Sequence, residues 1–144
     1  MLIGEYNHIL DDKKRVSLPA KFRKELGGKA VITRGLDRCL FVYPAEEWQK
    51  FAEELSTLSK WQKDKRDMVR VFMSGAAEVE TDKLGRILIP DSLKAYAELK
   101  NDVVICGMHK RVEIWNKERW ENYRNEVEGQ ADLLAEKLGD SGMY

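Results

Sequence analysis

A chain of 144 residues, 43% hydrophobic and 35% charged, has the composition of one folded domain or of two half-size units sharing a core, not of a disordered or collagenous protein. Residues 1–15 hold no apolar core of signal-peptide length, and the longest apolar runs, such as 103–106, are too short to span a bilayer, so a soluble cytoplasmic protein with no membrane partner is expected. Net charge is zero, yet residues 1–40 carry nine Lys/Arg against five acids and the remainder sixteen against twenty, an asymmetry that points to one basic face.

Alternating apolar residues predict a strand over 5–10, a polar turn over 11–14 and a short strand over 15–18. Pro19 then opens a short helix, where a missing N–H does no harm. The β-branched and aromatic runs 30–33 and 39–43, joined through a glycine-containing turn, predict a hairpin. An amphipathic helix follows, with Trp48, Phe51, Ala52, Leu55 and Leu58 on one face. Segment 59–73 is expected to be helical, with Met68/Phe72 and Val69/Met73 at i,i+4. The same order then returns: strand 76–81, turn 82–85, strand 86–89, a helix after Pro90, and a hairpin of 103–106 with 112–115. One long exit helix closes the chain, with Trp120, Tyr123, Val127, Ala131, Leu134 and Leu138 on one face.

That return is an internal repeat. Residues 4–26 align with 75–97 at an offset of 71, and 29–48 with 101–120 at an offset of 72, with one slip at the turn between them. Identities fall at Gly4/Gly75, Asp11/Asp82, Arg15/Arg86, Pro19/Pro90, Val31/Val103, Gly35/Gly107, Glu46/Glu118 and Trp48/Trp120. The period exceeds that of solenoid repeats, so the chain reads as two copies of one module. A four-strand module with one short helix buries too little alone; two copies supply each other's missing half through exchanged hairpins about a pseudo-two-fold axis. The expected organisation is a first module over 4–48, a helical linker over 49–74, a second module over 75–120, and a C-terminal helix and tail over 121–144.

Each copy carries the same turn: Asp11-Asp12-Lys13-Lys14-Arg15 with Pro19 four residues on, and Asp82-Lys83-Leu84-Gly85-Arg86 with Pro90. An aspartate at a turn start accepts backbone N–H bonds or pairs with the arginine four residues on. The pinned loop presents its cations. Arginine's planar fork fits phosphate oxygens or the guanine O6/N7 edge, and lysine meets phosphate as a point charge. Alone, D-x-x-x-R is a weak pattern; duplicated at equivalent positions before proline it is specific.

With these motifs the sequence resembles the MraZ family of bacterial transcriptional regulators, whose tandem units look like AbrB-type swapped-hairpin domains. The resemblance runs from Met1 to about Leu138 and includes Tyr43-Pro44, Glu47-Trp48 and the Glu113–Trp115 segment. It implies a β-rich α+β fold in which two AbrB-like modules share one pseudo-two-fold β-barrel core with flanking helices. It also implies binding to direct repeats upstream of a cell-division and cell-wall gene cluster, often the protein's own operon, and ring-shaped homo-oligomers. Residue by residue, the family's DNA-contacting motif falls on Asp11 and Arg15 and on Asp82 and Arg86. The expected contacts to double-stranded DNA are Arg15, Lys13, Lys14, Arg86 and Lys83, with Asp11 and Asp82 bracing their turns. Binding is expected to lean on Arg15 with Lys13 and Lys14 more than on Arg86. Lys14 stands where the family often has glycine, which places a side chain at a turn position that favours none. Localisation in the cytoplasm on the nucleoid follows.

Other chemistries find little support. Cys39 and Cys106 lie far apart without C-x-x-C spacing and read as reduced, buried thiols. His8 and His109 form no H-x-H or H-E-x-x-H pattern, so no metal is expected. Neither a glycine-rich phosphate loop nor G-x-S-x-G occurs, so no catalytic residue, cofactor or small-molecule substrate is assigned. The rival is a non-catalytic protein-binding or oligomeric scaffold module without DNA affinity, supported by the aromatic set Trp48, Trp61, Trp115 and Trp120. The simpler account of those tryptophans packs exit helices on the β core.

Overall fold

Side chains alternate across a strand, so a strand apolar at every position must be covered on both faces. Four strands of this chain carry four or more consecutive buried residues, and they lie at the centre of the fold. In the computed structural model, which describes residues 1–142, the first half comprises β1 (Leu2–Ile9), β2 (Arg15–Ser17), α1 (Ala20–Leu26), β3 (Lys29–Arg34), β4 (Leu40–Pro44) and α2 (Ala45–Ser56). Helix α3 (Lys63–Gly75) leads into β5 (Ala77–Glu80), β6 (Arg86–Leu88), α4 (Asp91–Tyr96), β7 (Asp102–His109), β8 (Val112–Asn116), α5 (Lys117–Gly129) and α6 (Ala131–Asp140).

The fold is α+β, with every ladder among the described residues antiparallel. A six-stranded sheet runs β1-β7-β8-β4-β3-β5, and β2 pairs with β6 in a separate ribbon. Exchanging β1–β4 for β5–β8 maps this order onto its own reverse. Only the β3–β4 and β7–β8 ladders stay within one half; the other four join a strand of each. The halves are thus interleaved. The sheet stays open, with β1 and β5 at its edges, rather than closing into a hydrogen-bonded barrel.

One face of the sheet presents Ile32, Leu40, Val42, Val103, Ile105, Val112 and Ile114 to the main core. Val16 and Ile87 enter that core from the ribbon, with Leu18 and Ile89 just after it, Phe22 and Leu26 from α1, and Leu93 from α4. On the opposite face Phe41, Tyr43, Val104, Cys106 and Trp115 lie under α2, α3 and α5, contacting Leu55, Phe72, Phe51 and Trp120. Cys39 and Cys106 are free and buried here, and burial pushes both thiols up, Cys106 to about 12. No helix among the described residues is long and apolar enough to cross a membrane.

Three expectations are corrected. First, the repeat slips twice. Ala30 pairs with Val79 as Val103 pairs with His8, and Ile32 pairs with Val42 as Ile105 pairs with Ile114. The equivalents are therefore Ala30/Val103, Val31/Val104 and Ile32/Ile105, and Val31/Val103 is one residue out of step. Gly35 N donates to Cys39 O and Met108 N to Arg111 O, both at 2.8 Å, which pairs Gly35 with Met108. Secondly, Gly107 consequently lies inside β7, opposite Gly4, instead of in a turn. A side chain there would run into the backbone of Leu2 and Ile3, with Ile3 Cα only 2.7 Å from its Cβ. The second hairpin loop, one residue shorter, bends at His109 (φ 66°) without glycine. Thirdly, the exit helix is two helices, α5 and α6, broken at Gln130 (φ −111°, ψ 7°) directly after Gly129. Glycine is costly inside a helix, and neither helix has a fully buried residue to hold it straight. In α3, Met68 and Val69 reach the second core beside Phe72, while Met73 faces solvent.

Candidate nucleic-acid interface

The two Asp–Arg turns are built alike. Asp11 Oδ1 accepts the backbone N–H of Lys13 and of Arg15, each at 2.9 Å, while Arg15 Nε donates to Asp11 Oδ2 at 2.9 Å. Asp82 Oδ1 accepts from Leu84 N and Arg86 N, each at 2.9 Å, and Arg86 Nε donates to Asp82 Oδ2 at 2.8 Å. The backbone closes equally, Lys14 N to Asp11 O and Gly85 N to Asp82 O, both at 3.0 Å. Both carboxyls are held below the usual aspartate range, first by the arginine backbone N–H and then by the guanidinium. Lys14 (φ 62°) adopts the same left-handed conformation as Gly85 (φ 75°), so the side chain at this position leaves the turn's path unchanged.

Bracing occupies one nitrogen of each arginine. Among the described residues the terminal Nη groups of Arg15 and Arg86 make no hydrogen bond, and both side chains are partly exposed, at 31% and 25%. The ribbon sets where they stand. Arg15 lies opposite Leu88, and Ser17 opposite Arg86, with Val16 and Ile87 turned into the core between them. Arg15, Ser17, Arg86 and Leu88 therefore share the outer face of the ribbon, the two arginines on its diagonal. Leu18 N donates to Gly85 O at 3.0 Å and Ile89 N to Lys14 O at 2.8 Å, so each turn is fastened to the other half's strand.

The lysines divide. Lys13 and Lys83 are exposed and, among the described residues, ion-paired to nothing. Lys14 instead forms an ion pair with Asp91 at the start of α4. The structure thus brings Arg15, Lys13, Arg86 and Lys83 to one ribbon and its two turns, and ties Lys14 to the opposite half. Two further neighbours reach the turns: Asp91, and Arg23 of α1, whose side chain packs over Gly85. Both reach a turn from the other half, so no local spacing announces them.

The tryptophans are largely accounted for by packing. Trp48 lies 5.9 Å from Tyr43 and 5.8 Å from Phe51, and Trp115 lies 5.2 Å from Trp120, ring centroid to ring centroid. Trp61 alone of the four stands out, at 82% exposure. No cluster of three or more potential metal ligands occurs among the described residues.

Comparison with known proteins bears on both turns. Residues 1–71 and 72–138 each match a family model described as "MraZ protein, putative antitoxin-like". The chain is 51% identical over 140 residues to a protein of Moorella thermoacetica named "Transcriptional regulator MraZ", a match covering 97% of this chain and 98% of that one. It is 52% identical over 143 residues to the protein of that name from Clostridium beijerinckii, covering 99% and 100%. A third so named, from Thermoanaerobacter sp., is 51% identical over 140 residues, covering 97% and 98%.

Proposed function

This chain belongs to the MraZ family, and from that premise we propose that it is a non-enzymatic, DNA-binding transcriptional regulator that reads promoter DNA with its two Asp–Arg turns. The observation that carries the proposal is the duplicated turn at diagonal corners of one ribbon, each with an arginine braced through Nε and free at Nη. A braced guanidinium has already given up its rotamer freedom, so contact with phosphate or a guanine edge orders little more. Arg15 and Arg86 are assigned to base or backbone contact, Lys13 and Lys83 to phosphate, and Asp11 and Asp82 to bracing. Lys14 adds charge to the first turn, reduced by its pairing with Asp91.

The proposed frame is the AbrB-type swapped hairpin, pseudo-two-fold and barrel-like, with modules over 4–48 and 75–120, a helical linker over 49–74 and a C-terminal helix and tail over 121–144. It is supported by the strand order that survives exchange of the halves. The final residues, 143–144, lie outside the described ones.

One chain offers few cations, and by counterion release three to five phosphate contacts give only weak binding at physiological salt. We propose a homo-oligomer, closed as a ring, that sets several ribbons against successive promoter repeats so that avidity multiplies modest single-site affinity. Its contacts draw on α5 and α6, where Tyr123, Leu133, Leu134 and Leu138 are exposed. The proposed operator is the repeat region before a cell-division and cell-wall gene cluster, including the protein's own promoter, which places the protein on the nucleoid in the cytoplasm. Footprinting of the purified protein on its upstream region tests this reading. Protection at spaced repeats, lost steeply with added salt, is expected; a scaffold without DNA affinity would leave the duplex unprotected at every salt concentration. Light scattering should return several chain masses, and a single chain mass at micromolar concentration would count against the ring.

A further inference from the structure

Sequence alone makes the first turn look the more cationic, with Lys13, Lys14 and Arg15 in a row against Lys83 and Arg86. The interleaved halves change that comparison. Each turn receives a short helix from the opposite half, and the two helices differ in charge at the point of contact. Asp91 opens α4 beside the first turn and binds Lys14. Its counterpart in the repeat, at the start of α1, is Ala20, which brings no acid to the second turn.

The second turn receives a cation. Arg23 packs so closely over Gly85 that a Cβ there would lie 2.6 Å from its Cζ. The side chain is half-buried, with Nε enclosed and without a hydrogen-bond partner among the described residues. Its charge is close enough to His8 on β1 to lower that imidazole, second to the effect of burial, so His8 is held toward its neutral form beside it. No carboxylate among the described residues forms an ion pair with Arg23. A half-buried guanidinium with no counter-ion beside an exposed cationic turn is a site for an outside anion.

We infer that Arg23 is a phosphate-binding residue of the second turn, forming with Lys83 and Arg86 the more cationic of the two DNA-binding tips, while Asp91 holds Lys14 back from DNA at the first. This rests on the DNA-binding role of the turns and reverses the expectation that the first turn dominates. Gly85 serves the arrangement, because a side chain there would push the end of Arg23 out of the place it occupies over the turn.

The test uses the full chain and two probes, a duplex of its upstream region and a random-sequence duplex of equal length, each titrated across salt by fluorescence anisotropy. Arg23→Gln should weaken binding to both duplexes by at least about threefold and flatten the log–log salt dependence by about 0.9 for each tip engaged. Arg23→Lys should recover most of the salt slope. Asp91→Asn should tighten binding and steepen the slope, a gain that no folding defect imitates, and adding Lys14→Gln should cancel the gain. If wild type binds neither duplex, the DNA-binding reading itself fails. If wild type binds while Arg23→Gln matches it in affinity and slope, or Asp91→Asn brings no gain, the inference is overturned.

Discussion

At Lys14 the first turn bends through φ 62°, and at Gly85 the second bends through φ 75°. Every hydrogen bond within one turn has its counterpart within the other to 0.1 Å. What distinguishes them is the loop side chains, Asp12-Lys13-Lys14 against Lys83-Leu84-Gly85, and the neighbours, Asp91 at the first and Arg23 at the second. A motif of five residues thus carries its own backbone, because the aspartate satisfies the loop's N–H groups without outside help. Its electrostatics depend also on residues remote in sequence.

The largest effect should follow from separating the halves. Four of six ladders cross between them, so residues 1–57 alone lose the partners of β1, β2 and one edge each of β3 and β4. That fragment should show no cooperative unfolding transition by circular dichroism; a stable folded monomer would mean that the modules are independent after all. Next in size are the two left-handed positions. Gly85→Ala should destabilise the protein by about 1–2 kcal/mol through left-handed strain, the end of the Arg23 side chain giving way to the new methyl. At Lys14 the comparison is between Lys14→Gly and Lys14→Ala, which lose the Asp91 pair equally. The glycine variant should be the more stable by about 1 kcal/mol in urea denaturation.

The smallest effect should be an acid one, alike in both turns. Asp11 and Asp82 have depressed folded pKa values, so their contribution is complete at neutral pH and drains away as pH falls through those values, below the ordinary aspartate range. Melting temperature measured from about pH 6 down to about pH 2 should fall less steeply for Asp11→Asn/Asp82→Asn than for wild type. A parallel decline would show the carboxylates to be energetically idle.

How much of this could be read from sequence follows the same division between local and remote. The turns, the proline-led helices and the β-rich order were readable because Asp11, Pro19 and their repeats act on neighbours a few residues away. The register of β3 against β7 was not. Those strands are buried on both faces, so Ala30, Val31 and Ile32 against Val103, Val104 and Ile105 show no alternation to reveal a one-residue slip. Only hydrogen bonding discloses it, and with it the role of Gly107. The break at Gln130 was masked by an apolar stripe that keeps helical phase across Gly129. That Arg23 and Asp91 stand at turns of the opposite half was not legible either, because the exchanged strands alone place them there.

The central claim is that the two braced arginines together form the DNA-binding surface, and one salt titration tests it most directly. Wild type, each single variant and Arg15→Ala/Arg86→Ala would be titrated against the upstream duplex. Each single substitution should cost roughly 1–3 kcal/mol per subunit engaged where its arginine reads a base. The double variant should retain only weak, shallowly salt-dependent association while keeping the wild-type melting temperature to within a few degrees. A double variant that binds as tightly as wild type, with an unchanged salt slope, would contradict the account and reduce both turns to structural braces.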